Sequence, residues 1–140
     1  MQSPFALVAA SVLCAVVTSG CGSKPALFTE GATTACLNQR AAVRKIALDN
    51  GRGNPILSAN VTLADGNFVE IDFSPSASAA RKDASNNVIS AFTASKPPGL
   101  GVLAQTRNVV LVWKGQPTQR EKSLVTSCLR SGTQPPVTKG

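Results

Sequence analysis

Histidine is absent from this chain of 140 residues, and with it go the commonest general base and metal ligand. No Cys-x-x-Cys spacing occurs among its 4 cysteines, so neither a zinc site nor any other metal or cofactor is expected. Tyrosine is also missing, and aromatic residues make up only 4% of the chain. That scarcity removes the stacking platform on which single-stranded nucleic acids are held. The 14 basic residues are scattered rather than clustered, so the net charge of +7 reads as a solvated surface and not as a nucleic-acid footprint. Serine and threonine are plentiful, yet no Ser-x-x-Lys or Gly-x-Ser-x-Gly context is present to activate one.

Charge is absent from one region altogether. Residues 1–23 hold no Asp, Glu, Lys or Arg, and 13 of them, residues 5–17, form a near-continuous apolar run. A bilayer-spanning helix wants about 20 such residues, whereas the core of a signal peptide wants about 7–15. The run therefore reads as a targeting segment.

Val17-Thr18-Ser19-Gly20-Cys21 closes that segment. This stretch resembles the lipobox of bacterial lipoproteins, in which small residues precede a cysteine that is acylated and becomes the mature N-terminus. The resemblance covers about five residues and is carried by their position just after an apolar core. It implies a signal peptide over residues 1–20, lipid on Cys21, and a protein held on the extracytoplasmic side of the cell membrane. Cys14 does not fit the pattern, because Leu13 stands where a small residue is needed. On the same reading Cys14 leaves with the leader. Cys36 and Cys128 then remain as an even pair in an oxidising compartment, the simplest composition for one disulfide.

About 120 residues follow the leader, enough for one domain with a real core. Residues 21–32 show no sustained periodicity and read as a lipidated tether. Residues 133–140 are polar and Pro-rich and read as a disordered tail. The domain is expected over residues 33–132.

Thr33 or Thr34 caps a first helix that carries Cys36. Residues 43–48 fit a continuation of that helix or a strand, and the pattern does not decide. Residues 56–73 read as a hairpin around Ala64-Asp65-Gly66. A two-residue Asp-Gly turn mixes apolar and polar side chains on both faces. A three-residue loop with Gly66 in the left-handed position pairs Val61 with Val69, Ala59 with Ile71 and Leu57 with Phe73. One face is then apolar, so the three-residue loop is preferred.

Ser74-Pro75 opens a second helix of about 18 residues, with Pro at its first turn. Val109-Val110-Leu111-Val112-Trp113 is apolar throughout and belongs inside a sheet. Thr118-Gln119-Arg120-Glu121 is a capping box for a last helix that Gly132 ends. The second helix acts most simply as a crossover, laying the last strand parallel to the hairpin. The expected fold is α+β: a two-layer sandwich of a small mixed sheet (hairpin plus one crossover strand), with helices mainly on one face and one disulfide.

Glu70 and Asp72 project from the polar side of the hairpin about 7 Å apart. That spacing suits a pair of acid/base carboxylates. It is also the ordinary wet side of a strand, with Asn60 and Ser58 as cross-strand neighbours and no structural partner assigned to either acid. The domain is therefore expected to be a binding or structural module and not an enzyme, with its ligand face at Asn60, Glu70 and Asp72. Its partners are expected to be the membrane, through lipid, and an anionic envelope polymer or another envelope protein. Two alternatives stand beside this. One is a secreted, unacylated, disulfide-stapled domain; the other is an envelope hydrolase using Glu70 and Asp72.

Overall fold

The computed structural model describes residues 25–50, 55–93 and 103–133. The leader, Cys21 and the tail beyond Thr133 lie outside them. In chain order the elements are α1 (Glu30–Asn38), β1 (Val43–Asp49), β2 (Leu57–Leu63), β3 (Phe68–Phe73), α2 (Ala77–Thr93), β4 (Leu103–Thr106), β5 (Val109–Trp113) and α3 (Gln119–Ser131). The class is α+β, and Cys36 and Cys128 are bonded, with their Cα atoms 5.4 Å apart.

The β2–β3 hairpin has the expected register: Leu57, Ala59 and Val61 face Phe73, Ile71 and Val69. Gly66 sits at φ 91, the left-handed conformation that a three-residue loop requires and glycine alone adopts cheaply. The sheet itself differs from expectation. It is five-stranded, in the order β1-β2-β3-β5-β4, and every neighbouring pair is antiparallel. The mixed sheet is therefore corrected to an antiparallel one.

The reason is β4, a short edge strand whose Ala104, Gln105 and Thr106 are exposed and carry no apolar alternation. The crossover through α2 delivers β4, running in the same direction as β3. A tight turn at Arg107 (φ 50) and Asn108 then folds β5 back between them. At the opposite edge, residues 43–48 are strand. Mostly exposed β1 shows no period of two in its sequence because a register shift between Val43 and Lys45 lets Val43 and Ile46, three positions apart, both pack against the core.

The core lies on one face of the sheet. Ala59, Val61, Val69, Ile71, Phe73, Val109, Leu111 and Trp113 supply its floor, and Leu37 of α1 with Val125 and Leu129 of α3 close it. Trp113, 2% exposed, is a core residue and not a ligand anchor. The helices α1 and α3 pack side by side across this face and the disulfide joins them. At their crossing, a Cβ on Gly132 would stand 2.8 Å from the Thr33 hydroxyl. Gly132 thus serves the close approach of two helices as well as ending α3, and its φ of −92 makes no special demand on the backbone.

The opposite face carries α2. Ala80 and Val110 are fully buried yet stand apart from the main core, and α2 packs on β4 and β5. A third layer thus covers part of the face that was expected to stay open. Two caps also shift. The first helix begins at Glu30 after Thr29, leaving Thr33 and Thr34 buried inside it. The cap of α2 is Ser76, whose Oγ accepts from the Ala79 N–H at 3.0 Å. Pro75 therefore precedes the helix.

Candidate functional site

The sequence-predicted face is assembled, with Asn60 and Glu70 half-buried and Asp72 buried. Asn60 and Glu70 are cross-strand partners, as are Ser58 and Asp72. Asp72 is only 5% exposed, and its Oδ1 accepts from the Ser58 hydroxyl at 2.6 Å. Asp83 of α2 is near enough for the two carboxyl groups to influence each other, and its Oδ2 is buried without a hydrogen-bond partner.

Burial raises the pKa of Asp72, with the Ser58 hydrogen bond and the neighbouring Asp83 carboxyl opposing the rise. Burial also raises Asp83, reinforced by the charge on Asp72. Glu70 is raised by burial and then by the repulsion of Asp72, Asp83 and Asp49. The cluster is a set of carboxyl groups that resist ionisation together. Asp72 is thus structural: Ser58, its cross-strand neighbour, bonds it directly, and the approach of Asp83 from α2 was not visible in the sequence.

The open feature of the domain lies elsewhere. A groove of about 810 Å³ runs between the α1–β1 link, the β2–β3 turn and the first turns of α3. Ala42, Leu63, Ala64 and Leu124 give it apolar walls, while Arg40, Arg120 and Asp65 stand at its polar positions. The groove is held by a polar node. Asn67 Oδ1 accepts from the Phe68 N–H at 2.9 Å and the Gly115 N–H at 3.2 Å, and its Nδ2 donates to Glu121 Oε1 at 2.9 Å.

Glu121 completes the capping box, its Oε2 accepting from the Thr118 N–H at 2.5 Å while its own N–H donates to Thr118 Oγ1 at 3.2 Å. Burial works against the charge of Glu121, but these hydrogen bonds win and hold its pKa below the ordinary value. Although acidic, Glu121 is thereby committed to the fold. Among the described residues that line the groove, the two arginines are the cationic side chains. Nearby, Arg44 reaches the Ala64 carbonyl at 3.0 Å.

The opposite end of the sheet is organised by another asparagine. Asn108 is 2% exposed. Its Oδ1 accepts from the Phe28 N–H at 2.9 Å, and its Nδ2 donates to the Phe28 and Ser74 carbonyls, each at 3.0 Å. The Thr29 N–H and hydroxyl both donate to the Gly132 carbonyl at 3.0 Å. The chain therefore becomes part of the packed domain at Phe28, upstream of the expected start at residue 33.

Of the predicted residues, the structure joins Cys36 to Cys128 and sets Asn60, Glu70 and Asp72 on one face. Cys21 lies outside the described residues. Among the described residues no group of three or more His, Cys, Asp or Glu is arranged to hold a metal. The groove was not foreseen, because Arg40, Leu63 and Leu124 come from three separate elements and share no local pattern. The one local trace of it was the capping box at its edge. No protein-family model, curated protein or solved structure matches the chain.

Proposed function

We propose that this chain is a lipid-anchored cell-envelope protein. Residues 1–20 are removed, Cys21 carries acyl chains, and the α+β domain acts outside the cytoplasm as a binding or structural module with no catalytic role. The observation that carries this reading is Thr18-Ser19-Gly20-Cys21 at the end of a charge-free apolar run of a leader's length. The Cys36–Cys128 bond supports it, since disulfides persist in oxidising compartments outside the cytosol.

The groove supports a binding role better than the carboxyl cluster does. Asp72 is enclosed between β2, β3 and α2, so Glu70 and Asp72 do not stand together before a substrate. That burial weighs against the hydrolase alternative. Arg40 and Arg120, on a domain whose chain carries a net charge of +7, favour an anionic partner in the groove, either an envelope polymer or an acidic surface of another envelope protein.

Replacing Cys21 by Ser tests the anchor. Wild-type protein is expected in the detergent phase after phase separation, and Cys21→Ser in the aqueous phase or mislocalised. Aqueous partitioning of the wild type would instead support the secreted, unacylated alternative.

A further inference from the structure

Among the described residues, the large apolar side chains left exposed are Leu27 (38%), Leu48 (53%) and Leu57 (38%). Isolated exposed leucines are ordinary. These three gather at one end of the domain. Leu57 is the first residue of β2 and pairs with Phe73, the last residue of β3. Leu48, one residue from the end of β1, pairs with Ala59 and so shares the apolar face with Leu57. Leu27 lies between Ala26, whose carbonyl accepts from Arg107 at 2.9 Å, and Phe28, which is bonded to Asn108. Arg107 and Asn108 form the β4–β5 turn at this same end of the sheet. The guanidinium of Arg107 lies 5.0 Å from the centre of the Phe28 ring and is itself exposed.

We infer that this end of the domain rests on the lipid bilayer, with Leu27, Leu48 and Leu57 entering the headgroup–acyl boundary and Arg107 meeting lipid phosphate. The inference builds on the reading of Cys21 as acylated. Phe28 lies seven positions after Cys21, a reach of at most about 24 Å when fully extended. The lipid and the leucines are thus tied to the same end of the molecule. Phe28 is fixed to Asn108 and the segment to Gly132, so the end that the lipid draws toward the membrane is the leucine-bearing one.

Charge points the same way. A net charge of +7 favours the approach to an anionic leaflet, and Arg107 has the amphipathic length to keep its head at the phosphates while its stem lies over Phe28. Shallow apolar contacts add to the retention that the acyl chains on Cys21 supply. The groove, at the far end of strands roughly 20 Å long, then faces away from the membrane and toward a partner in the surrounding compartment.

The test uses the full chain, expressed with its leader, purified and reconstituted into vesicles of phosphatidylcholine and phosphatidylglycerol. Single variants Leu27→Cys, Leu48→Cys, Leu57→Cys and, as the control in the groove, Ser123→Cys are labelled with the environment-sensitive dye NBD. Quenching is then measured with lipids carrying a doxyl group near the headgroup. The three leucine positions are expected to show blue-shifted emission, most of it lost to the doxyl lipid, while the label at position 123 keeps the spectrum of water. Flotation and intact mass report acylation separately. Acylated protein that floats with vesicles but shows no quenching at positions 27, 48 and 57 overturns the proposal and leaves the anchor standing. Labels that are blue-shifted but unquenched indicate a protein partner on this surface and likewise overturn it. Unmodified Cys21 overturns both.

Discussion

The two ends of the sheet are each held by one asparagine, and they are built for opposite purposes. At the end where the chain joins the domain, Asn108 is sealed from solvent and its side chain bonds only to backbone of Phe28 and Ser74. At the other end Asn67 is half-buried, and it joins a turn, a strand end and the acid of a helix cap. The first end is sealed inside and apolar outside, with Leu27, Leu48 and Leu57 exposed. The second is polar at its node and open beside it, where the groove lies. Fixing the point where a tether meets a domain transmits the tether's position to the whole body. An open groove at the far end is then presented in a defined direction.

The largest expected effect removes the tie that crosses between α1 and α3. Replacing Cys36 and Cys128 together by Ala opens a loop of 92 residues, which costs about 4–5 kcal/mol in the chain-entropy model as an upper figure. Denaturant melts read the loss, and non-reducing peptide maps of the wild type should show the pair linked. Two free thiols after aerobic purification would contradict the fold as described.

Next comes the direct comparison of the ends. Asn108→Ala leaves the Phe28 N–H and two carbonyls buried without their partner, at a cost of about 3 kcal/mol. Asn67→Ala strips a half-buried node whose groups find water more easily, at about 1–2 kcal/mol. Equal losses would erase the distinction between a sealed end and an open one. Hydrogen exchange should sharpen it, with Asn108→Ala freeing the Phe28 amide and leaving the groove end protected.

Gly132→Ala is expected to cost roughly 1–3 kcal/mol, because a Cβ there meets the Thr33 hydroxyl and backbone where α1 and α3 approach. Thr33→Ala in the same chain should recover part of that loss, since one of the two contacts disappears.

The smallest effect concerns the carboxyl cluster. Asp72 and Asp83 have raised pKa values in the folded domain. A raised carboxyl binds its proton more tightly in the folded state, so stability is highest below the unfolded value of 3.8 and falls as pH rises through the folded values. Asp83→Asn should flatten that decline and raise the melting temperature slightly at neutral pH. A variant whose melting curve keeps the wild-type pH dependence would show that the Asp72–Asp83 contact is not formed. Glu121 runs the other way: its lowered pKa contributes stability that is lost as pH falls through its folded value.

How much of this was legible depended on the range of each interaction. The hairpin register followed from alternation plus one glycine, because slipping by one residue exposes every apolar side chain. The Thr118–Glu121 box is local and was read directly. The edge strands escaped, since β4 is short and exposed and a register shift in β1 breaks its alternation. The burial of Asp72 also escaped. It depends on a helix, α2, that packs on this side of the sheet from a crossover distant in sequence. Nothing in Arg107-Asn108 distinguishes a turn from the residue that locks Phe28, 80 positions away. The cover over Asp72 was invisible for the same reason that the register was legible. Periodicity says which side chains share a face and not what covers it.

The reading of the protein as an anchored envelope module turns on one atom, the sulfur of Cys21. Intact mass spectrometry of the protein purified from membranes tests it most directly. A polypeptide that begins at Cys21 and carries the added mass of acyl chains is the predicted result. A polypeptide that retains residues 1–20, or that begins near Gly20 with an unmodified cysteine, would contradict it.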